Sequence, residues 1–156
     1  MCAATCAYNV LEDFDSPPRV SRGRNQEASG ELKLHADTPT ALNTVTAYGP
    51  GFIEINKVRH TTAVVLTPER VEPWAVESFE AIGEADFERL RALAPEVALL
   101  GTGARQRFPH PRLSRALAEA RIGLEVMTTA AACRTYNILM AEGRKVAAAL
   151  LPESVA

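Results

Sequence analysis

No stretch of the 156-residue chain approaches the roughly 20 consecutive apolar residues needed to span a bilayer, so the sequence is not that of an integral membrane protein. Residues 1–10 lack the basic start and long apolar centre of a secretory signal. A cytoplasmic location is the expectation. Only three cysteines occur, Cys2, Cys6 and Cys133, too few and too oddly numbered for a disulfide framework and suited to a reducing compartment. Cys2 and Cys6 are spaced like half a zinc site, but no second Cys or His pair stands near them, and His35, His60 and His110 are scattered. Four converging ligands are therefore missing, and no metal is expected.

The chain also lacks a strong charge of either sign. A formal net charge of −2 does not provide the clustered basic surface that phosphate neutralisation requires, so no nucleic-acid partner is expected. Charge is unevenly distributed along the chain, however. Residues 69–96 carry eight acidic groups against three arginines, and residues 101–121 carry five arginines against Glu119 alone. Surfaces of opposite sign on one small domain favour a protein partner over a polyanion.

With 47% hydrophobic and 23% charged residues, the composition is that of one globular domain with a real core. Residues 1–31 are polar and irregular, with Ser-Pro-Pro at 16–18, and read as a flexible N-terminal extension. The domain is expected over 32–152, opening with Leu32 and Leu34 in alternation with Lys33 and His35, and 153–156 is a short tail. Its first half is β-rich: a hairpin from Val45–Tyr48 through Gly-Pro-Gly to Phe52–Ile55, a strand over 58–66, and a short strand over 71–76 containing the only tryptophan.

The second half alternates as βαβαβ. Residues 84–94 place Phe87, Leu90 and Leu93 on one helical face. Val97–Leu100 is a continuous apolar run of the kind buried on both faces of a sheet. A helix is expected from Pro111, then a strand over 122–127, a helix capped by Thr128 or Thr129, and a last strand over 145–151 after Gly143. The fold class is thus α/β, with right-handed crossovers making the strands near 97–100 and 122–127 parallel. Their following loops then open on one rim, where open α/β sheets bind ligands.

That rim supplies the candidate site. Gly101, Thr102 and Gly103, followed by Arg105 and Arg107, combine close backbone approach with positive charge, as an anion-binding loop would. Thr128 and Thr129 sit at the neighbouring helix N-terminus, and Arg134 and Asn137 lie further along that helix, opposite the Ala132–Tyr136 stripe. The glycines serve equally to turn the chain after a buried strand, and Arg134 is equally suited to pair with Glu125 or Glu142. Tyr136 is expected in the core with its hydroxyl satisfied, and Asn137 as a tie on loop backbone. No catalytic set emerges. Cys133 has no base with an orienting partner, and no serine occupies a Gly-x-Ser-x-Gly elbow.

The segments Gly-Pro-Gly-Phe-Ile-Glu-Ile-Asn at 49–56, Leu-Leu-Gly-Thr-Gly at 99–103, Glu-Val-Met-Thr-Thr-Ala-Ala-Ala-Cys-Arg-Thr-Tyr-Asn at 125–137 and Glu-Gly-Arg at 142–144 resemble a small family of domains of unknown biochemical activity. Its members include the mitochondrial assembly factor three of complex I, the NADH:ubiquinone oxidoreductase, and an adipogenesis-associated protein. The resemblance covers about residues 32–152. It implies a three-layer α/β domain with a central mixed sheet, an extra β layer and no established cofactor, and for the mitochondrial relative it implies help in building a respiratory complex through protein contacts. Thr128 stands where the family leads one to expect aspartate. The combined expectation is a non-enzymatic interaction domain, an accessory or assembly factor of a larger complex; the alternative is a small protein binding an anion or phosphorylated metabolite at the 101–107 loop.

Overall fold

The computed structural model describes residues 42–153. The expected strand start at Leu32 and the N-terminal extension lie outside them. Eight strands and three helices follow in order: β1 (Val45–Gly49), β2 (Phe52–Ile55), β3 (Val58–His60), β4 (Val64–Leu66), β5 (Val71–Pro73), α1 (Glu84–Ala92), β6 (Val97–Thr102), α2 (Arg115–Glu119), β7 (Gly123–Met127), α3 (Thr129–Ala141) and β8 (Val146–Leu151). The strands form two sheets, β1-β2-β3 and β5-β4-β8-β6-β7. β1, β2 and β3 are antiparallel neighbours. In the larger sheet β4 runs antiparallel to β5 and β8, while β8, β6 and β7 are parallel, which makes it mixed.

Alternation along the central strands sorts side chains between two cores. Ala147, Ala149 and Leu151 of β8, with Ala98 and Leu100 of β6, face Phe87 and Leu90 of α1, Leu117 of α2, and Trp74. Val146, Ala148 and Leu150, with Leu99, face Ala132, Cys133 and Tyr136 of α3 and Val45, Ile53 and Ile55 of the small sheet. The result is three layers, with the small sheet and α3 on one side and α1 and α2 on the other. The two helical crossovers lie on opposite sides for a topological reason. From β6 to β7 the chain steps outward by one strand, and from β7 to β8 it steps back across β6, so right-handed connections must use opposite faces.

Three expectations need correction. The short strand expected over 71–76 ends at Pro73, and Trp74 follows it as a buried core residue. The strand expected over 58–66 is two strands in different sheets, β3 pairing with β2 and β4 with β8. The residue types do not break it; burial does. Val64, Val65 and Leu66 are covered on both faces and belong inside a sheet, whereas Val58 and Arg59 are exposed at an edge. The helix expected from Pro111 begins only at Arg115, because residues 111–114 close as turns, with Leu113 N–H on His110 O (2.8 Å) and the Ser114 hydroxyl on Pro111 O (3.2 Å). Glu153, assigned by the sequence to the tail, is tied to the β1–β2 turn, its carbonyl accepting the Gly51 N–H at 2.7 Å.

Candidate functional site

β6, β7 and β8 all end at one rim, and there the loop after β6 meets the start of α3. Thr129 is 2% exposed. Its Oγ1 accepts the Gly103 N–H at 2.9 Å and donates to Leu151 O at 2.5 Å, while its own N–H donates to Gly103 O at 2.9 Å. One residue thus ties the ends of β6 and β8 to the helix. Thr102, fully buried, does the same toward β7: its hydroxyl lies 2.8 Å from Arg105 O and 3.1 Å from Met127 O as donor and accepts the Arg107 N–H at 3.1 Å. Gln106 adds a bond from Nε2 to Val126 O at 2.8 Å.

Gly101 is required by this closure. A Cβ there would stand 3.0 Å from Thr129 Oγ1 and Leu150 Cδ2 and 3.1 Å from Thr129 Cα, closer than ordinary packing allows. Gly103 adopts φ +89°, a backbone geometry that side chains disfavour. The juxtaposition of Gly101–Gly103 with Thr128 and Thr129 expected from the parallel strands is therefore present. What fills it is protein: the buried N–H of Gly103 is already bonded to Thr129, and the glycines admit a helix and not a ligand. The geometry lends the anion-binding alternative no support. Thr128 is the N-cap of α3, its Oγ1 3.4 Å from the Ala131 N–H.

The charged residues of the loop disperse. Arg107 Nη1 pairs with Glu80 at 2.7 Å, its Nη2 donates to Thr102 O at 3.2 Å, and its guanidinium lies 4.6 Å from the centroid of the Phe79 ring. The Glu80 carboxyl is held below its usual range first by its own backbone N–H and the Ser78 hydroxyl, with Arg107 a smaller influence. Arg112 approaches Glu84 at 4.0 Å. The acidic segment 69–96 and the basic segment 101–121 thus meet across neighbouring elements, and the charge polarity expected along the chain is partly neutralised within the fold. Arg105 is exposed and forms no ion pair among the described residues.

Arg134 and Asn137 do not join the rim. Arg134 Nη1 donates to the Tyr48 hydroxyl at 2.8 Å instead of pairing with Glu125 or Glu142. Asn137 binds the backbone of Val45 at both groups, its Oδ1 accepting the N–H at 3.0 Å and its Nδ2 donating to the carbonyl at 2.8 Å. Tyr136 is fully buried, and its hydroxyl donates to Asn43 O at 2.8 Å. Arg134 and Asn137 thus fasten α3 to β1, and Tyr136 fastens it to Asn43 just before that strand, so the Arg-Thr-Tyr-Asn segment is a latch between helix and small sheet. Burial pushes the Tyr136 phenol well above its usual range. Cys133 is fully buried beside it, and burial pushes the thiol up to about 12. Sequence reasoning found the latch residues but not their partner, because β1 lies about ninety positions upstream.

Among the described residues, no group of three or more His, Cys, Asp or Glu is placed to hold a metal ion, and no helix is long and apolar enough to cross a membrane.

The bovine NADH dehydrogenase [ubiquinone] 1 alpha subcomplex assembly factor 3 is 35% identical over 121 residues, which cover 76% of this chain and 65% of the bovine protein. The match therefore spans just under two thirds of that relative's length. A crystal structure of a Bordetella parapertussis protein superposes with a TM-score of 0.71 at 50% identity, covering 74% of this chain and 99% of that one. The solution structure of a Bordetella pertussis protein, described as a Mth938-like domain, gives a TM-score of 0.70 at 42% identity, covering 79% and 94% of the two chains. The family model for proteins of unknown function DUF498/DUF598 matches residues 45–151, from the first strand to the last, and the chain belongs to that family.

Proposed function

We propose that the chain is a non-enzymatic protein-interaction domain that acts, from the cytoplasm, as an accessory in the assembly of a respiratory complex. The observation that carries this reading is the 35% identity with the bovine assembly factor across three quarters of the chain. The rim geometry agrees with it. Residues that would hold a substrate in a crevice of this fold are spent on one another, with Thr102 and Thr129 stitching three strands and a helix together. Cys133, the one described cysteine, is buried with its thiol held protonated, unsuited to nucleophilic work.

Deletion in an organism that carries the chain tests the proposal. Native gel electrophoresis of solubilised membranes should show less fully assembled NADH:quinone oxidoreductase, with subunit transcripts unchanged, and re-expression should restore it. An unaltered level of assembled complex removes the assembly role.

A further inference from the structure

The opposite rim of the large sheet, where β8 begins, carries an apolar cleft. It encloses about 610 Å³ between the turn after β4, the end of α1 and the end of α3. Leu42, Leu93 and Met140 form its apolar walls. Leu93 packs against the core on the α1 side and Met140 against the core on the α3 side, so both cores come to the surface here. Leu42 stays 39% exposed. The charges that line the cleft are unbalanced: Arg70, Arg144 and Lys145 stand against one carboxylate, Glu69, and all four side chains are exposed. Arg144 reaches Glu96, which lies outside the lining, at 3.4 Å, whereas Arg70 and Lys145 form no ion pair among the described residues. With the Arg144 pair set aside, cations still exceed carboxylates in the lining by two to one, on a chain of net charge −2.

From this geometry we infer that the cleft docks an acidic segment of a partner protein through one large aliphatic or aromatic residue. The anchor packs against Leu42 and Met140, whose unbranched thioether adapts to irregular shapes, and flanking carboxylates meet Arg70 and Lys145. A basic segment would bring like charge to those two side chains, and a wholly apolar one would cover them without supplying partners. The rim charges mainly steer encounter, so binding weakens as salt rises. This inference rests on the protein-interaction reading, without depending on which complex is assembled.

Random peptides displayed on phage, selected at low salt against the immobilised full chain, test it. The expected result is enrichment of net-negative sequences containing a large apolar residue. A synthetic copy of a selected peptide, followed by fluorescence anisotropy, should lose about tenfold in affinity on Leu42→Ala, a change of about 1.4 kcal/mol, and should weaken on Lys145→Glu. The controls Val58→Ala and Arg105→Glu, exposed residues that do not line the cleft, should bind as the parent does. Both test side chains are exposed, and thermal melts confirm that the variants fold. Amide shifts of the full chain on adding the peptide should centre on Leu93, Met140 and Lys145. Failure to enrich, selected peptides with no acidic bias, equal binding by Leu42→Ala or Lys145→Glu, or shifts centred elsewhere overturns the inference. So do nuclear Overhauser contacts in the free chain between the Met140 methyl and residues upstream of Leu42, which would make the occupant the chain itself. A deletion strain with normal respiratory complex would remove the assembly reading and leave this surface standing, whereas a failed selection does the reverse.

Discussion

Replacing Thr129 by valine should cost far more than replacing it by serine, although valine is the closer match in shape. Valine keeps the buried methyl and removes the oxygen. The Gly103 N–H, buried at the rim, then loses its acceptor at 2.9 Å, and Leu151 O loses its donor. A buried backbone group left unpaired costs about 1–3 kcal/mol, and a carbonyl with a second lone pair sits at the lower end, which brings the total to about 2–4 kcal/mol. Serine preserves both bonds and loses one buried methyl, worth about 1 kcal/mol. Against a typical domain stability of about 5–15 kcal/mol, the valine variant should unfold visibly earlier. Urea denaturation followed by the fluorescence of Trp74, the single tryptophan, provides the assay. With m of about 2 kcal/mol/M, the midpoint should fall by about 1–2 M for valine and by about 0.5 M for serine, at unchanged m. A valine variant as stable as the parent, or a serine variant as unstable as valine, would refute the assignment of Thr129 as the hydroxyl clamp of the rim.

Three further outcomes follow from the same geometry. Gly101→Ala forces a methyl against Thr129 Cα and Leu150 Cδ2, so it should destabilise by about 1–3 kcal/mol and lower the melting temperature in calorimetry. Asn137→Ala frees both backbone groups of Val45 and should cost about 1–3 kcal/mol, with hydrogen exchange at the Val45 amide accelerating more than at the central strand β8. The Cys133 thiol, raised by burial from 9.0 to about 12, should alkylate roughly 10²–10³-fold more slowly in the folded than in the urea-unfolded protein at pH 8.5, measured with Cys2 and Cys6 replaced by serine. Because its folded value lies above the unfolded one, the stability it contributes is whole below pH 9 and is lost as pH rises toward 12. Alkylation at equal rates in the two states would show that the thiol is not buried.

The elements that were legible in the sequence are those set by local period and punctuation. The β1–β2 hairpin, α1, β6, β7, α3 and β8 lie within a few residues of their expected positions, since alternation, helical spacing, the threonine cap and Gly143 are properties of neighbours along the chain. Parallel pairing of β6 and β7, and the meeting of Gly101 with Thr129, followed from the handedness of crossovers alone. Partner choice was not legible. The β-branched run at 58–66 has no breaker, yet its two ends enter different sheets, because burial on both faces is available only to the second. The acidic and basic segments looked like separate surfaces until Glu80 met Arg107 and Glu84 met Arg112.

The sequence by itself determined an α/β domain with two glycines and two threonines converging on one sheet rim, because secondary structure and crossover hand depend on short-range sterics and hydrophobic period. Only the tertiary structure decided what that convergence is for. Whether a backbone N–H at a helix start awaits a ligand or is already bonded depends on distances between segments more than twenty residues apart, and here Thr129 closes the gap while Arg134 and Asn137 turn to β1.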